Sequence, residues 1–398
     1  MTDLDFTTNL RPSPFTAMIE KQSLVKSWSG WNGYQTPRVL DTLASEYFAI
    51  RSSCSVMDLT PMEKYRVSGP DAEKFLTRLV TRDISKLRPG RVTYVLWCND
   101  EGKVIDDGTI FHLGEDGYRI CSQHHQLDWF QLSALGMDVT IREETEEIAA
   151  LSIQGPTSYS VLSAAGINGL DALKPFDILH TQLRGFDLTV SRTGFTGDLG
   201  YELWTTPEHA SALWDAIFSL QERGLFNIRT IGLDALEMVR IEAGFILPGD
   251  DFNTAETAVR ADHDRSPFEL GMGWAVSMDK PYFTGKRALV EELKRPARRR
   301  LVKLSIEGNK LPRDAFLYDG VNGKRIGTIK TTIWSPILKA NLAMADVEYK
   351  SGNPPQEIWA EIYYQKELEW RATWARCDIS DKPFWSPPRK SATPPEAF

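Results

Sequence analysis

The chain has 398 residues, 42% of them hydrophobic and 25% charged, with a net charge of −8. That length exceeds one simple core and predicts two or three domains of ordinary globular composition. The acidic balance, with a single short basic cluster at residues 294–300 (KRPARRR), argues against nucleic-acid binding, and no apolar run reaches membrane-spanning length.

The opening segment, MTDLDFTTNLRPSPF, has no basic stretch followed by an apolar one. The expectation is no secretory signal and a cytoplasmic protein. The four cysteines, Cys54, Cys98, Cys121 and Cys377, form no CxxC pair, and the six histidines are scattered. Reduced, buried thiols and no metal site are expected.

In chain order, the segment YRVSGPDAEKFLTRLVT, from Tyr65, reads as a strand, a Gly-Pro turn and a helix with Phe75, Leu76 and Leu79 on one face. LSIQGPTSYSVLSAAG, from Leu151, repeats the pattern. Asp71 and Thr157 stand where a side-chain oxygen would cap the helix start. The repeat predicts two similar α+β halves. Between them, turn signals at NDEG and GEDG split residues 91–123 into three strands of an antiparallel meander.

The second of these strands carries two adjacent acids, Asp106 and Asp107. Parity groups Asp107 with Ile105, Thr109, Phe111 and Leu113, the more apolar face, and Asp106 with Val104, Gly108, Ile110 and His112. The expectation is a buried Asp107 with a specific partner and an Asp106 that meets solvent or a loop N–H. Two roles stay open: a pair that caps backbone amides, or a carboxylate that orients a basic ligand nitrogen.

Further on, SRTGFTGDLGYELW has glycines at 194, 197 and 200, close enough for backbone to approach a ligand, and no helix directly after it as a dinucleotide fingerprint would require. Glu202 follows on a strand, either solvent-facing or a bidentate acceptor for a guanidine-like edge. A helix from Thr206 to the stop at Gly224 is expected, then another in GLDALEMVRIEAG, where Asp234, Glu237, Arg240 and Glu242 suit surface ion pairing. Asp250 and Asp251 fall on the loop beyond. After residues 293–300 the texture changes to short strands and turns, a small antiparallel barrel or sandwich, ending in a Pro-rich tail packed by Phe384 and Trp385.

Six segments in this order resemble the glycine-cleavage T-protein (aminomethyltransferase) family of tetrahydrofolate-dependent one-carbon transferases. They are VMDLTPMEKYRVSGPDAEKFL, NDEGKVIDD, LSIQGP, RTGFTGDLGYEL, GLDALEMVRIEAGFILPGDD with SPFELGMGW, and GTIKTTIWSPILKANLAMA, within residues 31–376. The resemblance implies an α+β, three-lobed fold: two related α+β lobes in residues 1–293 and a C-terminal antiparallel β-barrel in residues 294–398. It implies tetrahydrofolate in a central channel. By position it carries the folate-facing hairpin aspartate to Asp107, with Asp106 as second choice, and the pterin-contacting glutamate to Glu202. Arg240 is carried over as lying near the site, and Tyr201, Trp31 and Tyr34 as lining the channel.

The segment SGWNGYQTPRVLDTLASEYFAIR departs from the family's N-terminal region, whereas GFTGDLGYE keeps the T-protein form. That departure and the aromatic content point to a demethylase acting on a small methylated donor. The alternatives are aminomethyl transfer from a lipoyl carrier protein and a non-catalytic folate-binding subunit of a larger oxidase.

Overall fold

The computed structural model describes residues 9–260 and 262–397. The first lobe is a five-stranded antiparallel sheet in the order Arg91–Cys98, Val104–His112, Tyr118–Ser122, Glu63–Ser68, Thr140–Glu143. The expected meander forms its first three strands. Helices Ala72–Leu79 and Leu127–Ser133 cover one face, burying Tyr65, Phe75, Leu76, Trp97 and Phe130.

The second lobe has a six-stranded sheet: Ile178–Leu183, Phe186–Ser191, Gly200–Thr205, Ala149–Gln154, Cys54–Asp58, Ile228–Thr230. Helices Ser158–Ala164 and Ala210–Glu222 pack against it through Val161, Leu162, Leu213, Trp214 and Ile217. The strand Cys54–Asp58 precedes the whole first lobe in sequence yet lies inside this sheet, antiparallel to Ala149–Gln154 and parallel to Ile228–Thr230. The two lobes are therefore interleaved along the chain rather than consecutive.

The strand–Gly-Pro–helix repeat is present in both lobes, Glu63–Ser68 to Ala72–Leu79 and Ala149–Gln154 to Ser158–Ala164. Both turn glycines need their freedom: Gly69 and Gly155 have φ of +109° and +118°, and a Cβ at Gly155 would stand 2.5 Å from the Ser53 carbonyl oxygen. The expected caps do not form. Asp71 turns its carboxylate to the Asp138 N–H, and the buried Thr157 hydroxyl has no partner among the described residues.

The third lobe is a closed six-stranded antiparallel barrel between Arg299 and Ser380, filled by Leu304, Leu317, Ala345, Val347, Ala360 and Ile362. Helices Leu43–Ser52 and Leu233–Ala243 join the second lobe to it through Tyr47, Ile50, Val239, Ile241, Ile333 and Leu342. A fully buried ionic cluster lies at this junction. Arg51 donates from Nε and Nη2 to Glu242 Oε2, at 2.9 and 2.6 Å, and the hydroxyls of Tyr47 and Ser335 occupy Oε1. The Pro-rich tail returns over it. Trp385 and Arg389 bind the Asp198 carboxylate, the Trp385 N–H reaches the Glu242 carbonyl, and Arg192 holds the Lys390 and Ala392 carbonyls. All four cysteines are buried free thiols, and no helix among the described residues is long and apolar enough to cross a membrane.

Candidate active site

A bulge shapes the acid hairpin. Leu96 pairs with Asp107 and Trp97 with Asp106, but Cys98 pairs with Val104, leaving Ile105 without a partner. The extra residue breaks the alternation, so Ile105 packs into the helix-side core of the first lobe. Asp106 lies opposite Trp97 and is fully buried, so of the two surroundings expected for it the solvent is excluded and the loop N–H, from His124, is found. Its carboxylate instead accepts backbone N–H groups, from Asp107 at 2.9 Å and His124 at 3.4 Å, and lies 3.3 Å from His124 Nδ1. Asp107 is only partly buried. Parity misjudged the pair because both faces of this strand are covered, one by the lobe's own helices and the other by the second lobe.

Asp107 has the specific partner expected of it: the Tyr94 hydroxyl donates to Oδ2 at 2.6 Å. Burial, and then the charge of Asp106, push its pKa up to about 7, while the Tyr94 hydrogen bond and His124 oppose the rise. Burial and Asp107 together hold the Tyr94 phenol well above its ordinary range, so it stays a donor.

Asp107 shares its face with Phe111, whose ring meets Trp204 of the second lobe edge-on at 5.2 Å. Trp204 in turn shares a face with Glu202 on the strand Gly200–Thr205. The two predicted acids, one from each lobe, thus point toward the same inter-lobe interface. Glu202 Oε2 accepts from the hydroxyls of Thr193 and Ser191, and among the described residues no hydrogen bond engages Oε1. Burial raises its pKa to about 7 against those two hydrogen bonds.

The remaining candidates divide. Trp31 and Tyr34 flank a two-residue hairpin turn in which Asn32 and Gly33 both have positive φ. The Asn32 side chain ties this tip to the Pro61 and Gln123 carbonyls, and Trp31 packs against the clusters joining the lobes with its indole N–H buried and unpartnered among the described residues. Tyr34 is buried beneath the Arg11 guanidinium, 4.2 Å from its ring centre.

Tyr201 points the other way from Glu202, into the apolar core of the second lobe, so the channel-lining expectation does not fit its position. Arg240 is buried and fully paired. It binds Glu237 through Nε and Nη2, and through Nη1 the Phe245 carbonyl and Asp251. This replaces the expectation of surface ion pairing. Burial opposes its charge, but Asp251 and Glu237 outweigh that and raise its pKa. Asp251, also held by Thr331 of the barrel, lies near enough to Asp107 to add to the rise in its pKa. Arg240 therefore reaches the acid pair only through Asp251.

Two residues went unnoticed in the sequence, Tyr94 and His124. Hairpin register held a signal for each. Tyr94 lies diagonal to Asp107, and extending the Gly108–Ser122 pairing puts His124 directly opposite Asp106.

The group expected at such a site is a reduced folate. Glu202 fits it, with one anchored and one open carboxylate oxygen suited to an N–H-rich ring edge, and so does an acid poised near neutrality on the facing lobe.

Comparison with known proteins gives a consistent picture. Residues 16–280 match the family model described as the GCVT N-terminal domain. An aminomethyltransferase of Halothermothrix orenii is 31% identical over 333 residues, 82% of this chain and 89% of the relative. A trimethylamine-oxide aldolase of Ruegeria pomeroyi is 36% identical over 357 residues, covering 85% of this chain but 43% of that protein. The crystal structure of glycine cleavage system aminomethyltransferase T from Bartonella henselae superposes with a TM-score of 0.81 at 23% identity, over 95% of this chain and 98% of that one. The three-lobed fold is shared with it.

Proposed function

This chain belongs to the glycine-cleavage T-protein family of aminomethyltransferases, and we propose that its inter-lobe site binds tetrahydrofolate and loads it with a one-carbon unit from a small methylated donor. The observation that carries the reading is Asp107: an acid with a pKa near 7, oriented by Tyr94, on the face that meets the Glu202 face of the other lobe.

Bound tetrahydrofolate would supply the nucleophilic nitrogen for the transfer. Glu202 accepts N–H groups from the pterin edge with Oε1, while Thr193 and Ser191 fix Oε2. Asp107, once ionised, stabilises positive charge at the reacting centre or accepts its proton, and Tyr94 holds the carboxylate in one orientation. Trp31 offers its unpartnered indole N–H at the junction of the lobes, with Tyr34 supporting the hairpin that carries it. Arg240 and Asp251 shape the adjoining loop. Packing between the lobes leaves these groups only partly open to water.

Identity to the trimethylamine-oxide aldolase, higher than to the aminomethyltransferase above, supports a methylated nitrogen compound as donor. Aminomethyl transfer from a lipoyl carrier protein is the second reading. It is favoured by matches that run nearly the full length of both partners, as with the Caldanaerobacter subterraneus aminomethyltransferase at 97% and 98%.

The test is a donor screen. The protein and tetrahydrofolate are incubated with methylated amines and amine oxides, betaines, sulfonium compounds, methoxyaromatics and an aminomethyl-loaded carrier protein. The expected result is 5-methyl- or 5,10-methylene-tetrahydrofolate with one methylated donor. Product with the carrier alone selects the second reading. Neither product nor folate binding with any donor overturns both.

A further inference from the structure

We propose that His124 is a positioning residue for the reaction: as an imidazolium against Asp106, it supplies the positive charge that lets the neighbouring Asp107 remain an anion. This rests on the reading of Asp107 given above.

Two adjacent carboxylates lie on one strand, one of them fully buried. Two like charges so placed resist joint ionisation unless a cation is beside them. Among the described residues one ion-pairing contact is made to this pair, from His124 Nδ1 to Asp106 Oδ2 at 3.3 Å. Asp107 is bonded by the neutral Tyr94 hydroxyl, and Arg240, the nearby guanidinium, is occupied by Glu237 and Asp251.

His124 is also anchored. Its backbone N–H donates to Asp106, its carbonyl accepts the Ser122 hydroxyl, and the preceding carbonyl of Gln123 is tied to Asn32. Its side chain is 46% exposed, so a proton can reach it from solvent.

The charges around His124 come from two elements. Asp106 and Asp107 lie on the hairpin strand, Asp250 and Glu256 on the loop after helix Leu233–Ala243, and the adjacent His125 faces Glu143 instead. The hydrogen bond from the His124 ring to Asp106 raises the His124 pKa above the ordinary 6.5, burial works against this, and the surrounding acids add to the rise. Reciprocally, His124 lowers that of Asp107. Removing the cation must therefore move Asp107 toward its protonated, inactive form at neutral pH.

Two measurements test this. In the first, kcat/KM with the donor found above is followed against pH. His124→Gln should move the acid limb upward by about one pH unit, costing about tenfold at pH 6.5 and little at pH 9. His124→Lys, which keeps a cation, should hold the limb near that of wild type. An unshifted limb in His124→Gln, or an equal loss at every pH, overturns the proposal, because a structural role lowers activity without moving the limb.

The second measurement needs no substrate. In carbon-13-histidine NMR of the folate-free protein, the resonance missing from His124→Gln should titrate above 6.5 and fall toward 6.5 in Asp106→Asn. Titration at or below 6.5 in wild type overturns the proposal whatever chemistry the protein performs. A raised value together with an empty donor screen leaves the charged His124–Asp106 pair standing and removes its role in the reaction along with the proposed function.

Discussion

Two of the buried sets of charge in this molecule are built in opposite ways. Around Arg51, at the junction of second lobe and barrel, two guanidinium groups face two carboxylates. Every oxygen of Glu242 and Asp198 is bonded: Glu242 by Arg51, Tyr47 and Ser335, and Asp198 by Arg389, Trp385 and the Leu199 N–H. In the first lobe, Asp106 and Asp107 stand side by side with a half-exposed histidine and a phenol. The matched cluster holds lobes and tail in place. The unmatched pair leaves an acid near neutrality, the condition under which a carboxylate can exchange protons at physiological pH.

The contrast can be broken from either side. The largest effect is expected from Glu242→Ala, which strands a buried guanidinium and should cost about 3–5 kcal/mol of stability in denaturant unfolding. Asp107→Asn should lower turnover by about 10²–10³-fold with the fold intact. Activity within a few-fold of wild type would remove it from the mechanism.

The same variant carries a stability signature. The folded-state pKa of Asp107, about 7, exceeds the ordinary 3.8, so the folded protein binds this proton more tightly and loses stability as pH rises between those values. At pH 8, Asp107→Asn should melt no lower than wild type, in contrast to Glu242→Ala.

Arg389→Ala detaches the tail from Asp198 and should cost about 1.5–3 kcal/mol, read by thermal unfolding and by faster proteolysis after residue 380. The smallest effect is expected at Glu202. Glu202→Gln keeps the shape and the open oxygen but loses the charge, so tetrahydrofolate affinity should fall about tenfold in a tryptophan-fluorescence titration. An unchanged affinity would detach Glu202 from the folate.

What the sequence allowed one to read was local. The meander, the two strand–Gly-Pro–helix units and the C-terminal barrel are each written in contiguous turn signals and periodicities, although most of the barrel strands run longer than the short ones expected. Hairpin register held a signal for Tyr94 and His124 beside the acids, but it went unread. What it hid depends on contacts between distant segments. Parity assigned the wrong exposure to Asp106 because that acid lies on the Trp97 face, which the first lobe's own helices cover, while the second lobe covers the Asp107 face, and because the bulge at Ile105 is invisible without the pairing partner. Tyr201 and Glu202 are neighbours in sequence on opposite faces of a strand, one in the core and one toward the interface. Arg240 resembles a surface ion-pairing residue until the loop to Asp251 folds back over it.

The strand Cys54–Asp58 imposes an order on assembly during synthesis. Its antiparallel partner at Ala149–Gln154 emerges about 90 residues later and its parallel partner at Ile228–Thr230 about 170 later. At translation rates of about 5–20 residues per second, that strand waits several seconds with its hydrogen-bonding groups unpaired, while the first lobe has all its own strands by residue 143. The acid hairpin can therefore be shaped on the ribosome before the sheet that will face it exists. A chain cut after the first lobe would release an orphan strand, ready to pair with its neighbours in other copies.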